Sequence, residues 1–125
     1  VCILLAEDNP VNRKLAKMML TKAGYRLEIA TNGREAVDMF TAEPDKYSLI
    51  LMDVHMPDMD GLQAVKEIRA KGFNDIPVIA VTADVMREDR EKCLAAGMND
   101  YISKPIKREI IFRIVKKWAL GINGI

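Results

Sequence analysis

Apolar and polar residues follow two rhythms that take turns along this chain, short continuous apolar runs and longer stretches of helical period, from its first residue to about Leu120. The run Cys2 to Ala6 predicts a strand. Asn9 then stands as a helix cap with Pro10 in the first turn, and Val11, Leu15, Met18 and Met19 recur on one face. Gly24 is placed to end that helix with a positive φ. A second strand is predicted from Arg26 to Ala30. Asn32 and Glu35 have the spacing of a capping box for a helix carrying Ala36, Val37 and Phe40, which Pro44 stops. Strand three, Ser48 to Met52, leads into a loop with Pro57 and Asp58. Asp60 and Gln63 then open a helix with Leu62, Val65 and Ile68 inward, closed by Gly72. Strand four, Pro77 to Thr82, carries no charge, as a central strand buried on both faces would.

The next helix, from about Met86 to Ala96, is mostly charged and leaves Met86, Cys93 and Leu94 to anchor it, so weak packing is expected. A short fifth strand near Tyr101 to Ser103 precedes a last helix in which Ile110, Ile111, Ile114, Val115 and Trp118 form a wide apolar stripe. Alternating strands and helices predict an α/β fold with a parallel sheet. Five such units fit a flavodoxin-like doubly wound sheet of five strands in the order 2-1-3-4-5, with five helices. No linker, repeat or low-complexity tract interrupts the alternation, so residues 1–125 are expected to form a single domain.

Composition narrows the function classes. Half of the residues are hydrophobic, 30% are charged and the net charge is +1, the profile of an ordinary globular domain with no feature calling for nucleic acid or a membrane. The longest apolar runs fall well short of the roughly 18 residues of a membrane span, and no signal peptide is visible. Cys2 and Cys93 are expected to be reduced thiols of a cytosolic protein, and two isolated cysteines with one histidine make no zinc site.

In a doubly wound sheet, the residues just beyond the strands converge on one crevice. Here they are Glu7 and Asp8 after strand one, Asp53 after strand three, Thr82 ending strand four, and Lys104 with Pro105 after strand five. Crowded carboxylates repel each other, and a hard divalent cation is the usual remedy. Mg²⁺ suits a shallow oxygen-lined pocket better than calcium. A lysine facing that cation points to an anion between them, and a phosphoryl group fits, with the Thr82 hydroxyl donating to it and the Asp53 carboxylate as nucleophile. Singly, each residue has a plainer role. Glu7 and Asp8 suit a helix N-terminus, Thr82 a strand, Lys104 the surface, Tyr101 a half-buried strand position and His55 an exposed loop. All five groups standing after the correct strands outweighs those separate explanations.

Through "LLAEDNPVNRKLAKMML", "LILMDVHMPDMDGLQAVKEIR", "IPVIAVTAD" and "AAGMNDYISKPI" the sequence resembles the receiver domain of two-component response regulators over essentially its whole length. The resemblance implies that Asp53 becomes an aspartyl phosphate. It implies Mg²⁺, with Mn²⁺ as a substitute, held by Asp8, Asp53 and the main-chain carbonyl of His55, with Glu7 reaching it through water. Lys104 would pair with the phosphoryl group. Thr82 and Tyr101 would act as switch residues, remodelling the surface around helix four, strand five and helix five. Ala83 would leave the site open, and the Lys104–Pro105 bond is cis in the family. His55 stands where family side chains tune phosphate lifetime, and a modest effect is expected of it.

The first fragment looks most like receivers fused to sensor kinases, the hybrid histidine kinases, with a freestanding response regulator as the alternative. The implied partners are a sensor histidine kinase and a histidine phosphotransfer domain. Direct contact with nucleic acid or membrane is not expected, and the location is cytoplasmic, including as the cytoplasmic part of a membrane-bound kinase. A start at Val1 within the first strand suggests a piece of a longer protein. Three rivals are weaker. A haloacid dehalogenase-type phosphohydrolase requires a second Asp where His55 stands, and a flavin or nucleotide module lacks its glycine-rich loop. A degenerate interaction domain would be expected to lack Asp8, Asp53 or Lys104. The domain is therefore read as a signalling module that promotes phosphoryl transfer to, and hydrolysis from, its own aspartate.

Overall fold

A computed structural model describes residues 1–56, 58–83 and 87–119, with residues 87–89 described by their backbone alone. Pro57 and Met86, which the sequence placed in a loop and as an anchor of the fourth helix, lie outside the described residues. The elements run β1 (Cys2–Ala6), α1 (Pro10–Lys22), β2 (Arg26–Ala30), α2 (Gly33–Ala42), a 3₁₀ turn at Pro44–Lys46, β3 (Leu49–Asp53), α3 (Gly61–Ala70), β4 (Val78–Thr82), α4 (Arg87–Ala96), β5 (Asp100–Ser103) and α5 (Arg108–Ala119). All neighbouring strands are parallel, in the order β2-β1-β3-β4-β5. This is the doubly wound architecture that the sequence pattern predicts.

Alternation along the strands sorts side chains into two cores, one on each face of the sheet. Ile3, Leu5, Leu49, Leu51, Ile79 and Val81 point to one side and pack with Ala16 and Leu20 of α1 and Ile111, Ile114 and Val115 of α5. Leu4, Ile50, Met52, Val78 and Ala80 point to the other, beneath Val37 and Phe40 of α2, Val65 and Ile68 of α3 and Cys93 of α4. Covering both faces makes β1, β3 and β4 apolar runs, broken only by Asp53 and Thr82 at the ends of β3 and β4. Phe40 and Phe73 meet edge to face at 5.2 Å in the second core.

The helix starts follow the predicted caps. Asn9 accepts from the amides of Val11 and Asn12, Asn32 from Glu35 and Asp60 from Gln63. The capping box at α2 is only half made, because the Glu35 carboxylate takes the Thr31 hydroxyl rather than the Asn32 amide. Two packing expectations are corrected. On α1 the inward residues are Ala16 and Leu20, while Val11 is 74% and Met18 47% exposed. On α4 Leu94 faces outward, 57% exposed, and the buried side chains described on that helix are Cys93 and Ala96. Both cysteines are buried and neither is in a disulfide.

Candidate functional site

The site forms where β1, β3, β4 and β5 end. Ladder register does the placing: Ala6 pairs with Met52, Asp53 with Val81 and Thr82 with Ser103, so the residues at or just beyond these rungs arrive at one level. Asp53 is the last residue of β3 rather than the first after it. The chain past each rung remains tied, with the Val54 amide donating to Val81 O at 3.0 Å and the Lys104 amide to Thr82 O at 2.8 Å.

Glu7 and Asp53 are each 1% exposed, and Thr82 is buried beside them at the end of β4. The Lys104 ammonium bridges the two acids, 2.9 Å from Asp53 Oδ2 and 3.2 Å from Glu7 Oε1. The remaining oxygens are also occupied. Asp53 Oδ1 accepts from the His55 amide at 3.1 Å, and Glu7 Oε2 from the Asn9 amide at 3.3 Å. Asp8 is exposed at the rim, yet its carboxylate joins those of Glu7 and Asp53 within 4.8 Å.

Burial, then the hydrogen bond to Asp53 and that acid's charge, raise the Glu7 pKa above the ordinary glutamate value, against the pull of Lys104. Burial opposes the Lys104 charge as well. The hydrogen bond and charge of Asp53, with Glu7 beside it, still hold the Lys104 pKa above that of an ordinary lysine. Three carboxylates with one ammonium favour further positive charge, and a donor set made only of oxygen fits a hard divalent cation.

His55 and Ala83 are exposed at the mouth, and Asp58 in the same loop takes a left-handed backbone with φ 67°. The Lys104–Pro105 peptide bond is cis, as the resemblance implies. Tyr101 lies half-buried on β5, and its hydroxyl accepts a 2.7 Å hydrogen bond from Arg90 of α4. The sequence reading missed two contributors. Gly61 lets α3 start against β3, because a Cβ there would meet the Asp53 carbonyl oxygen at 2.3 Å. Arg13 reaches back to the carbonyls of Glu7 and Asp8 at 3.2 Å each, and its position one helical turn past the Asn9 cap was the available signal.

Residues 3–116 match the family model described as response regulator receiver domain. Over 119 residues the chain is 42% identical to hybrid signal transduction histidine kinase I of Dictyostelium discoideum, covering 90% of this chain and 7% of that protein. Across the first curated relatives it matches, the chain spans between 5% and 17% of their length. Among solved structures, the receiver domain of a sensor histidine kinase from Pseudomonas aeruginosa has magnesium coordinated in its active site cleft. It is 46% identical with a TM-score of 0.84, covering 94% of this chain and 96% of that one. A receiver domain of a response regulator from Saccharomyces cerevisiae, solved with a histidine phosphotransfer protein, superposes with a TM-score of 0.87 at 29% identity, covering 96% of this chain and 89% of that one.

Proposed function

The chain belongs to the response regulator receiver domain family, and from that premise we propose that it accepts a phosphoryl group on Asp53 from a phosphohistidine donor with a divalent cation in the acidic pocket. The observation that carries this reading is the Lys104 ammonium held against both Asp53 and Glu7 within a three-carboxylate cluster. An Asp53 carboxylate oxygen attacks phosphorus and the bond from phosphorus to the donor imidazole nitrogen breaks, its electron pair staying on that nitrogen; the donor ring, protonated on its other nitrogen, leaves as neutral imidazole. Mg²⁺, or Mn²⁺ in its place, held by Asp8, Asp53 and the His55 carbonyl with Glu7 behind it, supplies charge neutralisation for the phosphoryl oxygens. Lys104 stays paired with one oxygen of the new phosphate and Thr82 hydrogen-bonds another, while exposed Ala83 leaves the approach open. Hydrolysis of the acyl phosphate resets the domain, and His55 at the mouth has a modest effect on its lifetime.

Output passes through Thr82 and Tyr101 to α4, β5 and α5. A cleft of about 710 Å³ between β5 and α5, lined by Tyr101, Ile102, Ile110, Arg113 and Ile114 among others, gives that face a shape on which a partner can act. The exposed Val11 and Met18 of α1, the helix that starts beside Asp8, offer an apolar surface for the donor or for a histidine phosphotransfer domain. Similarity to hybrid kinases favours a receiver joined to a sensor histidine kinase over a freestanding regulator. That context supports a cytoplasmic location; separately, no described helix is long and apolar enough to cross a membrane.

Intact mass spectrometry after incubation with a small acyl-phosphate donor tests the reading. A phosphoryl adduct that requires Mg²⁺ and is absent from Asp53→Asn is the expected result. A folded parent that takes no phosphoryl group from either the small donor or a histidine kinase would overturn it in favour of an interaction module.

A further inference from the structure

We propose that Arg13 is a positioning residue for the divalent-cation site, fixing the direction of the Asp8 carboxylate by holding the two peptide carbonyls that flank its Cα. The inference rests on reading the acidic pocket as a phosphoacceptor site. The two parallel ladders that flank β1 end at Ala6, and the Glu7 amide makes the last such link, to Ala30 O at 3.0 Å. The carbonyls of Glu7 and Asp8 therefore have no ladder partner. Arg13 Nη1 donates to both, at 3.2 Å each.

The Glu7 carbonyl belongs to the peptide plane before the Asp8 Cα and the Asp8 carbonyl to the plane after it. Tying both planes to one nitrogen sets φ and ψ at Asp8, and with them the direction of its Cα–Cβ bond. Glu7 has less need of such help, since its carboxylate is buried between Lys104 and the Asn9 amide. Asp8 is the exposed member of the cluster, so the orientation of its backbone matters most for where its carboxylate points. Arg13 is in turn rooted in the first turn of α1, where its amide donates to Asn9 O at 3.0 Å. A planar guanidinium keeps its charge and its fixed N–H directions, which a lysine at this place does not reproduce.

Charge and geometry act in opposite directions here. Removing a nearby positive charge strengthens cation binding, whereas loosening Asp8 weakens it. Calorimetric titration of the folded chain with Mg²⁺ separates them, comparing the parent with Arg13→Lys, which retains the charge, and Arg13→Ala, which does not. The expected result is a Kd raised about fivefold to tenfold in both variants, the size of one typical net hydrogen bond. Phosphorylation at saturating Mg²⁺ should then stay within about twofold of the parent, because the loss lies in cation binding and not in the later step. Variants that bind Mg²⁺ as tightly as the parent, or an Arg13→Ala that binds more tightly, overturn the positioning role and leave the phosphoacceptor reading standing. A parent that binds no Mg²⁺ overturns both. Thermal unfolding of the same samples reports any loss of α1 stability, and a lower Tm with unchanged Kd also counts against the proposal.

Discussion

At Lys104, burial opposes the charge while Asp53 and Glu7 favour it, and the ammonium wins. Replacing it with the similarly long but neutral side chain of Lys104→Met leaves two buried carboxylates facing each other. It also removes the cation that would meet a phosphoryl oxygen. The expected outcome is phosphorylation by a small acyl-phosphate donor slowed by about 10²-fold, the usual effect of deleting one preorganised charge-stabilising donor. A time course of adduct formation at saturating Mg²⁺ measures it, and a rate close to the parent's would show that Lys104 serves folding alone. The residues of this pocket were legible in the sequence because they stand at the ends of four separate strand-like runs. Arg13 was not, since its contribution is made to main-chain carbonyls, which a pattern of side-chain types does not display.

Strands are more legible in this sequence than the inward faces of its helices, for physical reasons. The strands of the central sheet announce themselves as apolar runs because both faces are covered. The inward face of α1 was displaced because Ala16, a small side chain at a close approach to the sheet, carries little weight beside Val11 and Met18, which lie outward. On α4 the same weighting favoured Leu94 over Ala96, although Ala96 is the buried one. The start of α3 shows close approach again. Gly61 donates its amide to Val54 O at 3.0 Å, and a methyl group there would press on the backbone of Asp53 itself. Gly61→Ala is therefore expected to destabilise the fold by about 2 kcal/mol, within the usual range for overpacking, and to displace the end of β3. Chemical denaturation checks the stability, and the adduct assay checks the displacement. Unchanged stability would mean that α3 can shift away freely.

Across the molecule the sheet has two unlike ends. Beyond the C-terminal ends of its strands stands the acidic pocket. Near the entry to β3, Glu28 of edge strand β2 accepts from the Tyr47 hydroxyl at 2.9 Å and pairs with Lys46. These contacts, Lys46 first and then Tyr47, lower the Glu28 pKa. A carboxylate with a lower pKa folded than unfolded contributes its full stabilisation above the ordinary glutamate value of about 4.3, and loses it as pH falls through the lower folded value. The Tm difference between the parent and Glu28→Gln should thus be positive at neutral pH and shrink through that acid range. A difference constant with pH would assign the effect to packing. The turns into β2 and β4 also lie at this end, where Gly24 and Gly72 have φ of 92° and 97° and open space around them. The two rungs that level Asp53, Thr82 and Lys104 allow no such latitude, because one residue added within β3, β4 or β5 reverses which face every later side chain in that strand occupies. Length variation in descendants of this chain, and reporter domains spliced into it by an engineer, therefore belong at the glycine turns, while the opposite rim must be copied residue for residue.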